Sequence, residues 1–357
     1  MNSYQLIGLM SGTSLDGLDV VNVEFFRNSR GEIEFNLLGF QTCKFPDELM
    51  RKIKSAMDLS GLNFMYLDNE IGDFYGDCVN SFILKHKIDK SKIFAISSHG
   101  QTIFHQPEKG LTVQIGNGTN LAVKTGLKVV NNFRTKDVAL GGQGAPLVPV
   151  GDFALFHSQA ESFLNIGGIS NVSFRKNDEI CAFDICPGNL PLNKLANSRG
   201  LDYDKNGDLA KKGELNFFLL DMLNELDFYR EKAPKSLGVE WLENHFYPLI
   251  KFDKDIENNL RTVLEHEAIQ IANVLNANNL KSVFISGGGA LNKFLVDRIT
   301  HYFEGKVVIP PKEIIEFKEA IIFAFLGFLY FENEVNSLSS VTGASRDSVG
   351  GVLHLPN

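Results

Sequence analysis

Gly8-Leu9-Met10-Ser11-Gly12-Thr13-Ser14-Leu15-Asp16-Gly17 lies near the start of the chain, between two short β-rich runs at 6–10 and 19–26. Two such runs around a loop of glycine and hydroxyl residues predict a hairpin that opens a sheet. A tight hairpin gathers backbone N–H groups, and Gly12 lacks the Cβ that would keep an anionic oxygen away from them. The loop adds the hydroxyls of Ser11, Thr13 and Ser14 and the carboxylates of Asp16 and Asp19. These are the parts of a phosphate grip, although an ordinary hairpin turn explains the loop taken alone.

Working outward, strands are expected at 35–44, 93–97, 113–115 and 128–130, with helices at 47–58 and 64–87. In the second helix Phe64, Leu67, Ile71, Phe74, Cys78, Phe82 and Ile83 share one face. A second cycle follows the glycine-rich stretch 140–149. Residues 163–174 again read as strand, glycine turn and strand, and 180–184 as a further strand. Helices are expected at 191–197, 215–226 and 256–277, then a strand at 282–286 running into Gly287-Gly288-Gly289 and a helix from Asn292. A strand at 306–309 and a helix at 319–331 complete the cycle. Strands alternating with helices predict α/β sheets covered by helices. At 357 residues the chain is long enough for two cores. The expected domains are 1–135, joined by 336–357, and 136–335, with a ligand cleft between them.

Composition narrows the partners. A net charge of −8 disfavours a nucleic-acid-binding surface, yet leaves ATP open, because backbone N–H groups and a metal hold phosphates without marking the net charge. Cys43, Cys78, Cys181 and Cys186 form no C-x-x-C pair and no His/Cys metal spacing, so they read as free thiols in a reducing compartment. The first residues show no basic segment followed by a long apolar one. The most apolar run, 320–331, is too short to span a bilayer and is flanked by Glu319 and Glu332. It reads as a buried helix, and the expected location is the cytoplasm.

Two further loops extend the phosphate reading. Asn165-Ile166-Gly167-Gly168-Ile169-Ser170-Asn171 is placed to clasp phosphates from the second domain, with a strand bulge as its plain rival. Ser286-Gly287-Gly288-Gly289-Ala290-Leu291-Asn292 suits an adenosine or its α-phosphate at a helix N-terminus, or serves only as a strand–helix connection. The chain carries no Walker loop, no dinucleotide G-x-G-x-x-G and no protein-kinase loop set.

With the stretches just quoted, Ser98-His99-Gly100-Gln101-Thr102, Gln114-Ile115-Gly116, Asn132-Phe133-Arg134 with Asp137, 141–149, Lys318-Glu319-Ala320 and Val341-Thr342-Gly343-Ala344-Ser345 complete an ordered set. End to end, the chain resembles the anhydro-N-acetylmuramic acid kinase family. The resemblance implies a two-domain actin-like (ribonuclease H-like) ATPase fold, related to hexokinase and acetate kinase. It implies an enzyme that opens the 1,6-anhydro bridge of anhydro-N-acetylmuramic acid with water and phosphorylates O6 from ATP with Mg²⁺. Its setting would be peptidoglycan recycling, and its working form a homodimer. A kinase for a different sugar and a sugar sensor without turnover are the rival readings.

Residue by residue, the resemblance implies that Asp184 is the base activating water, a role a strand-end carboxylate suits. It implies ATP binding by Gly12, Thr13, Ser14, Leu15, Asp16, Gly17, Leu18, Asp19, Gly167, Gly168, Gly287, Gly288 and Gly289. Asp16 and Asp19 would reach Mg²⁺ through water, with no direct metal ligand. Met10 and Ser11 stand where the superfamily commonly has an acidic residue before the first glycine turn. Substrate contacts fall to His99, Thr102, Arg134, Asp137, Asn189 and Glu319. The guanidinium fork of Arg134 suits a carboxylate or phosphate, or a salt bridge fixing the domain junction. Glu319 reads equally as an acid at a helix N-terminus. The family's usual Asp-Thr-Gly becomes Asp184-Ile185-Cys186, which puts a side chain beside the proposed base. If the glycine needed positive φ or close approach, Cys186 would strain or crowd that site.

Overall fold

The computed structural model describes residues 3–12, 15–177, 179–233 and 235–357, so the expected ligands Thr13 and Ser14 lie outside the described residues. The chain divides into two compact units, Met1–Phe156 with Phe317–Asn357, and His157–Glu316.

In the first unit the opening hairpin is β1 (Tyr4–Ser11) and β2 (Leu18–Arg27), followed by β3 (Ile33–Cys43), β4 (Ile93–Ser98), β5 (Gln101–Gln106), β6 (Leu111–Ile115) and β7 (Val129–Asn131). β1, β2 and β3 run antiparallel to one another in turn, while β4 lies parallel to β1, and β7 parallel to β4. The sheet order is β3-β2-β1-β4-β7, closed at its edge by β13 (Val352–His354); β5 and β6 pair separately.

The second unit repeats this plan. β8 (Ser162–Ile166), β9 (Ile169–Lys176) and β10 (Glu179–Pro187) are antiparallel, and β11 (Ser282–Ser286) and β12 (Lys306–Val308) add in parallel, in the order β10-β9-β8-β11-β12. Three antiparallel strands extended by two parallel ones, twice in one chain, is the duplicated ribonuclease H-like architecture expected from the sequence. The two copies share strand order rather than residues.

Helices bury both faces of the first sheet, which is why β1 reads as a continuous apolar run instead of an alternating one. Ile7, Leu9, Leu18 and Val20 pack with Ile71, Tyr75 and Phe82 of the helix Gly61–Lys85. On the other face Phe25 meets Phe325 and Phe328 of the helix Lys312–Phe331. In the second unit the helix Ile256–Ala277 buries Leu260, Val263, Leu264, Ile271 and Leu275 in one cluster with Leu164, Ile166, Val283 and Ile285.

The expected boundaries at 135 and 336 both move. Residues 136–156 and 317–335 belong to the first unit. A buried ion pair is one reason: Lys318 Nζ donates to Asp152 Oδ1 at 2.8 Å, with both side chains almost fully buried. The other is Gly8, read above as part of the loop, which lies within β1. A Cβ there would come within 2.2 Å of the Ala320 carbonyl oxygen and 2.9 Å of the Ala324 Cβ. Gly8→Ala is therefore expected to force helix and strand apart and lower stability by about 1–3 kcal/mol. An unchanged denaturation midpoint in urea would refute that role.

Candidate active site

The first loop is narrower than the sequence suggested. β1 and β2 pair without a slip as far as Ser11↔Leu18, so the connection is residues 12–17. Ser11 is the last residue of β1, buried, and its hydroxyl donates to Gln101 instead of facing the loop. Leu18 is fully buried, with its backbone in the ladder between Ser11 and Cys43, so its side chain serves the core and not a nucleotide. Leu15 takes left-handed φ 59 and its N–H donates to the Gly12 carbonyl at 3.3 Å. Gly17 is required where the turn meets β3, because a Cβ would lie 2.7 Å from Thr42 Cγ2 and 2.8 Å from the Cys43 carbonyl oxygen. Asp16 is exposed, while Asp19 is half-buried and accepts a hydrogen bond from Thr42 Oγ1.

Beside β4 the structure brings His99, Arg134 and Glu319 together. Arg134 donates from Nε (3.1 Å) and Nη2 (2.9 Å) to His99 Nε2, and from Nη1 to the Gly144 carbonyl at 2.7 Å. A guanidinium has only donors, so Nε2 is the acceptor and the ring hydrogen sits on Nδ1. Burial, followed by the Arg134 charge, holds His99 down at about 3, so it stays neutral and is no acid–base group. Burial lowers Arg134 to about 10, against the opposing pull of Glu319 and Asp137. Burial raises the Glu319 carboxyl despite Lys318 and Arg134. Glu319 also lies mid-helix, since the helix begins at Lys312, so the helix N-terminal reading does not hold. Thr102 is half-buried and its hydroxyl accepts from Gln114 Nε2 at 3.4 Å.

Asp137 departs from expectation. Its Oδ2 accepts the Gly144 N–H (2.8 Å), and its Oδ1 accepts the Ser337 and Thr342 hydroxyls (2.7 Å each). A buried carboxylate with three such donors fastens residues 337–342 to the segment 134–144; this spends it on structure.

In the second unit the expected glycines converge. Asn189 N–H donates to the Gly167 carbonyl (2.8 Å), Gly188 N–H to Gly168 (2.9 Å), and Asn189 Nδ2 to the Ile166 carbonyl (3.2 Å). Gly287 takes φ 80, and a Cβ there would meet the Ile166 carbonyl oxygen and Asn165 Oδ1 at 2.6 Å. At Gly167 and Gly288, by contrast, a Cβ would make only ordinary van der Waals contacts at 3.6 Å, so packing does not demand glycine at these two positions. The triplet does not open the helix directly. A 3₁₀ turn, Gly288–Leu291, intervenes, and the Asn292 side chain caps the helix Lys293–Tyr302 by accepting the Leu295 N–H. Asn189 thus ties loops together with its amide N–H.

Asp184 sits near the end of β10. The pairing with β9 slips between Asp184 and Cys186, making Ile185 a bulge residue, a device that re-aims neighbouring side chains. Asp184 Oδ2 accepts the Leu237 N–H at 2.8 Å, and burial raises the carboxyl above its ordinary value. Ile185 and Cys186 point into the core, at 1% and 0% exposure, and neither has positive φ, so the departure from Asp-Thr-Gly introduces neither crowding nor strain. Burial also pushes the Cys186 thiol well up, away from the thiolate form.

Sequence reasoning missed the buried polar groups behind these loops. Glu267 is almost fully buried, its Oε1 accepts from Ser170 Oγ (3.1 Å), and its Oε2 has no hydrogen-bond partner among the described residues. Burial pushes this carboxyl up to about 8, so it is protonated at neutral pH. Ser170 lies opposite Cys186 in the ladder, directly behind the bulge. The Asp152–Lys318 pair was missed as well, although a lone acid inside the apolar run 147–156 signals a buried partner. Among the described residues no three His, Cys, Asp or Glu side chains cluster as a metal site, and no helix is long and apolar enough to cross a membrane.

The family model described as anhydro-N-acetylmuramic acid kinase matches residues 4–356. An anhydro-N-acetylmuramic acid kinase of Sulfurovum sp. is 35% identical, with 99% of each chain covered. That of Haemophilus influenzae is 36% identical, over 99% of this chain and 98% of its own. Among solved structures, the activator of 2-hydroxyisocaproyl-CoA dehydratase from Clostridium difficile is 12% identical with a TM-score of 0.44, covering 94% of this chain and 99% of its own.

Proposed function

The chain belongs to the anhydro-N-acetylmuramic acid kinase family, and from that premise we propose that it opens the 1,6-anhydro bridge of anhydro-N-acetylmuramic acid and phosphorylates O6, giving N-acetylmuramic acid 6-phosphate. ATP with Mg²⁺ supplies the phosphoryl group. The observation that carries the reading is Asp184: a half-buried carboxylate at a bulged strand end, fixed through Oδ2 and raised above its ordinary value by burial. Its Oδ1 takes the proton from the water that attacks C1, while O6 departs from C1 toward the phosphoryl group.

The other residues bind and orient. Gly12, Asp16 and Gly17 would approach phosphates through backbone N–H groups, Leu15 would shape the turn, and the Asp16 and Asp19 carboxylates would reach the cation through water. In the second unit, Gly167, Gly168, Gly287, Gly288 and Gly289 are nucleotide contacts on the resemblance, and at Gly167 and Gly288 nothing in the packing itself demands glycine. Arg134 has two guanidinium N–H groups beyond the three engaged with His99 and Gly144, which suit the sugar's carboxylate. Neutral His99, Thr102, Asn189 and Glu319 orient the sugar. On the resemblance alone, the working form is a homodimer and the compartment the cytoplasm.

The test is the mass of the product formed from anhydro-N-acetylmuramic acid and ATP. Gain of both water and phosphate is expected. Gain of phosphate alone would show a kinase acting on a free hydroxyl, and no product despite sugar binding would indicate a sensor.

A further inference from the structure

Glu267, which no step above uses, sits where the helix Ile256–Ala277 backs the end of β10. Its side chain and its main chain each hold one of the two strands that carry the bulge. Oε1 accepts the Ser170 hydroxyl of β9 at 3.1 Å, and the backbone carbonyl accepts the Cys186 thiol of β10 at 3.9 Å. Ser170 and Cys186 face each other in the ladder, Asn171 and Asp184 form the adjoining pair, and Ile185 is the extra residue between them. The helix therefore clamps the rung on one side of the bulge. On the other side residues 235–237 hold Asp184: the Lys235 carbonyl accepts its N–H at 3.1 Å, and the Leu237 N–H reaches Oδ2.

A bulge bends its strand and turns the side chains beside it, so the direction of Asp184 depends on where the bulge is pinned. The Ser170 hydroxyl is enclosed on a second side as well, because a Cβ at Gly188 would come within 2.9 Å of it. Packing alone does not call for an acid behind this rung. Burying a carboxyl that has one side-chain hydrogen bond costs stability, and an apolar side chain of similar size would avoid that cost. What an apolar side chain lacks is an acceptor for the Ser170 hydroxyl.

We propose that Glu267 is a positioning residue for the reaction: through Ser170 it fixes the bulge that aims the Asp184 carboxylate at the attacking water. This rests on the reading of Asp184 as the base. Glu267 acts through Ser170 and Cys186, both in the ladder, and is itself buried at 1% exposure. Without the tie the bulge relaxes, and a displacement of about 1 Å at a reacting group costs up to about a hundredfold in rate.

The neighbouring glycine loop is held separately. The Gly188 N–H goes to the Gly168 carbonyl and the Asn189 N–H to that of Gly167, and neither bond passes through the Ser170 side chain. Loss of the Glu267 tie therefore falls on kcat and leaves KM for ATP nearly unchanged.

The experiment measures sugar phosphate formed by the full-length protein with ATP varied. Glu267→Leu fills the space but removes the acceptor, and should lower kcat about twentyfold with KM for ATP within about twofold. Glu267→Gln keeps an acceptor and should bring kcat back to within about threefold of wild type. The paired variant Glu267→Leu with Ser170→Ala leaves no orphaned polar group, so it folds where the single change does not, and it should be as slow as Glu267→Leu. In an Asp184→Asn background, adding Glu267→Leu should cost less than about a further twofold, because the group being aimed is already gone. A purely structural role would instead multiply the two losses. Wild-type kcat in the paired variant, Gln as slow as Leu, or multiplied losses would each overturn the proposal. Failure of Asp184 as the base shows separately, as wild-type kcat in Asp184→Asn alone, and takes the proposal with it.

Discussion

Asp184→Asn is expected to lower kcat by about a thousandfold while leaving KM for ATP within about twofold. Asn keeps an oxygen to accept the Leu237 N–H that now goes to Oδ2, so the bulge and the local fold survive the change. What it lacks is basicity. The raised carboxyl of Asp184 can hold a proton from water; an amide cannot. Because the base acts on water and not on nucleotide, the loss belongs in kcat. Steady-state kinetics with varied ATP, beside a circular-dichroism spectrum, separate these outcomes, and a kcat within threefold of wild type would remove Asp184 from catalysis.

Glu267→Gln is expected to stabilise the protein at alkaline pH. A carboxyl raised from 4.5 to about 8 by burial binds more protons folded than unfolded throughout that interval. Its stabilising contribution is therefore complete below about 4.5 and is lost as pH rises to about 8, an upper bound on the order of 5 kcal/mol. Gln is neutral at every pH and still accepts the Ser170 hydroxyl, so it escapes this loss. Thermal melts should give similar midpoints for the two proteins near pH 5 and a higher midpoint for the variant at pH 8. Parallel pH profiles would show that Glu267 is ionised, or solvated, in the folded protein.

The sequence made the architecture legible where structure is local. The strand–glycine–strand signals at 6–26 and 163–174 became β1–β2 and β8–β9, and the apolar run 320–331 is indeed buried. It was silent where pairing is remote or the element short. β13 has three residues and exists only because β7 offers it an edge. β5 is the polar stretch Gln101–Gln106, which resembles a loop until β6 pairs with it. The helix Lys312–Phe331 begins seven residues before the expected 319, because its first turns are charged and only the later part is uniformly apolar. The candidate site divides in the same way. Glycine loops and Asp184 announce themselves within a few residues. Glu267 meets Ser170 across 97 positions, and Asp152 meets Lys318 across 166, distances no local pattern spans. Asp137 shows the opposite error: a motif residue whose acceptors go to Ser337 and Thr342, some 200 positions away.

The closure of the first sheet by Val352–His354 sets an order of events on the ribosome. Every strand of the second unit has been synthesised before the edge strand, and before the helix residues that cover β1, so that unit can complete its core while the first still waits. Until then β7 exposes an unpaired edge and β1 an apolar face. The nascent chain is thus most prone to sticking in its oldest part, and a pause late in translation should lengthen that exposure more than a pause early on.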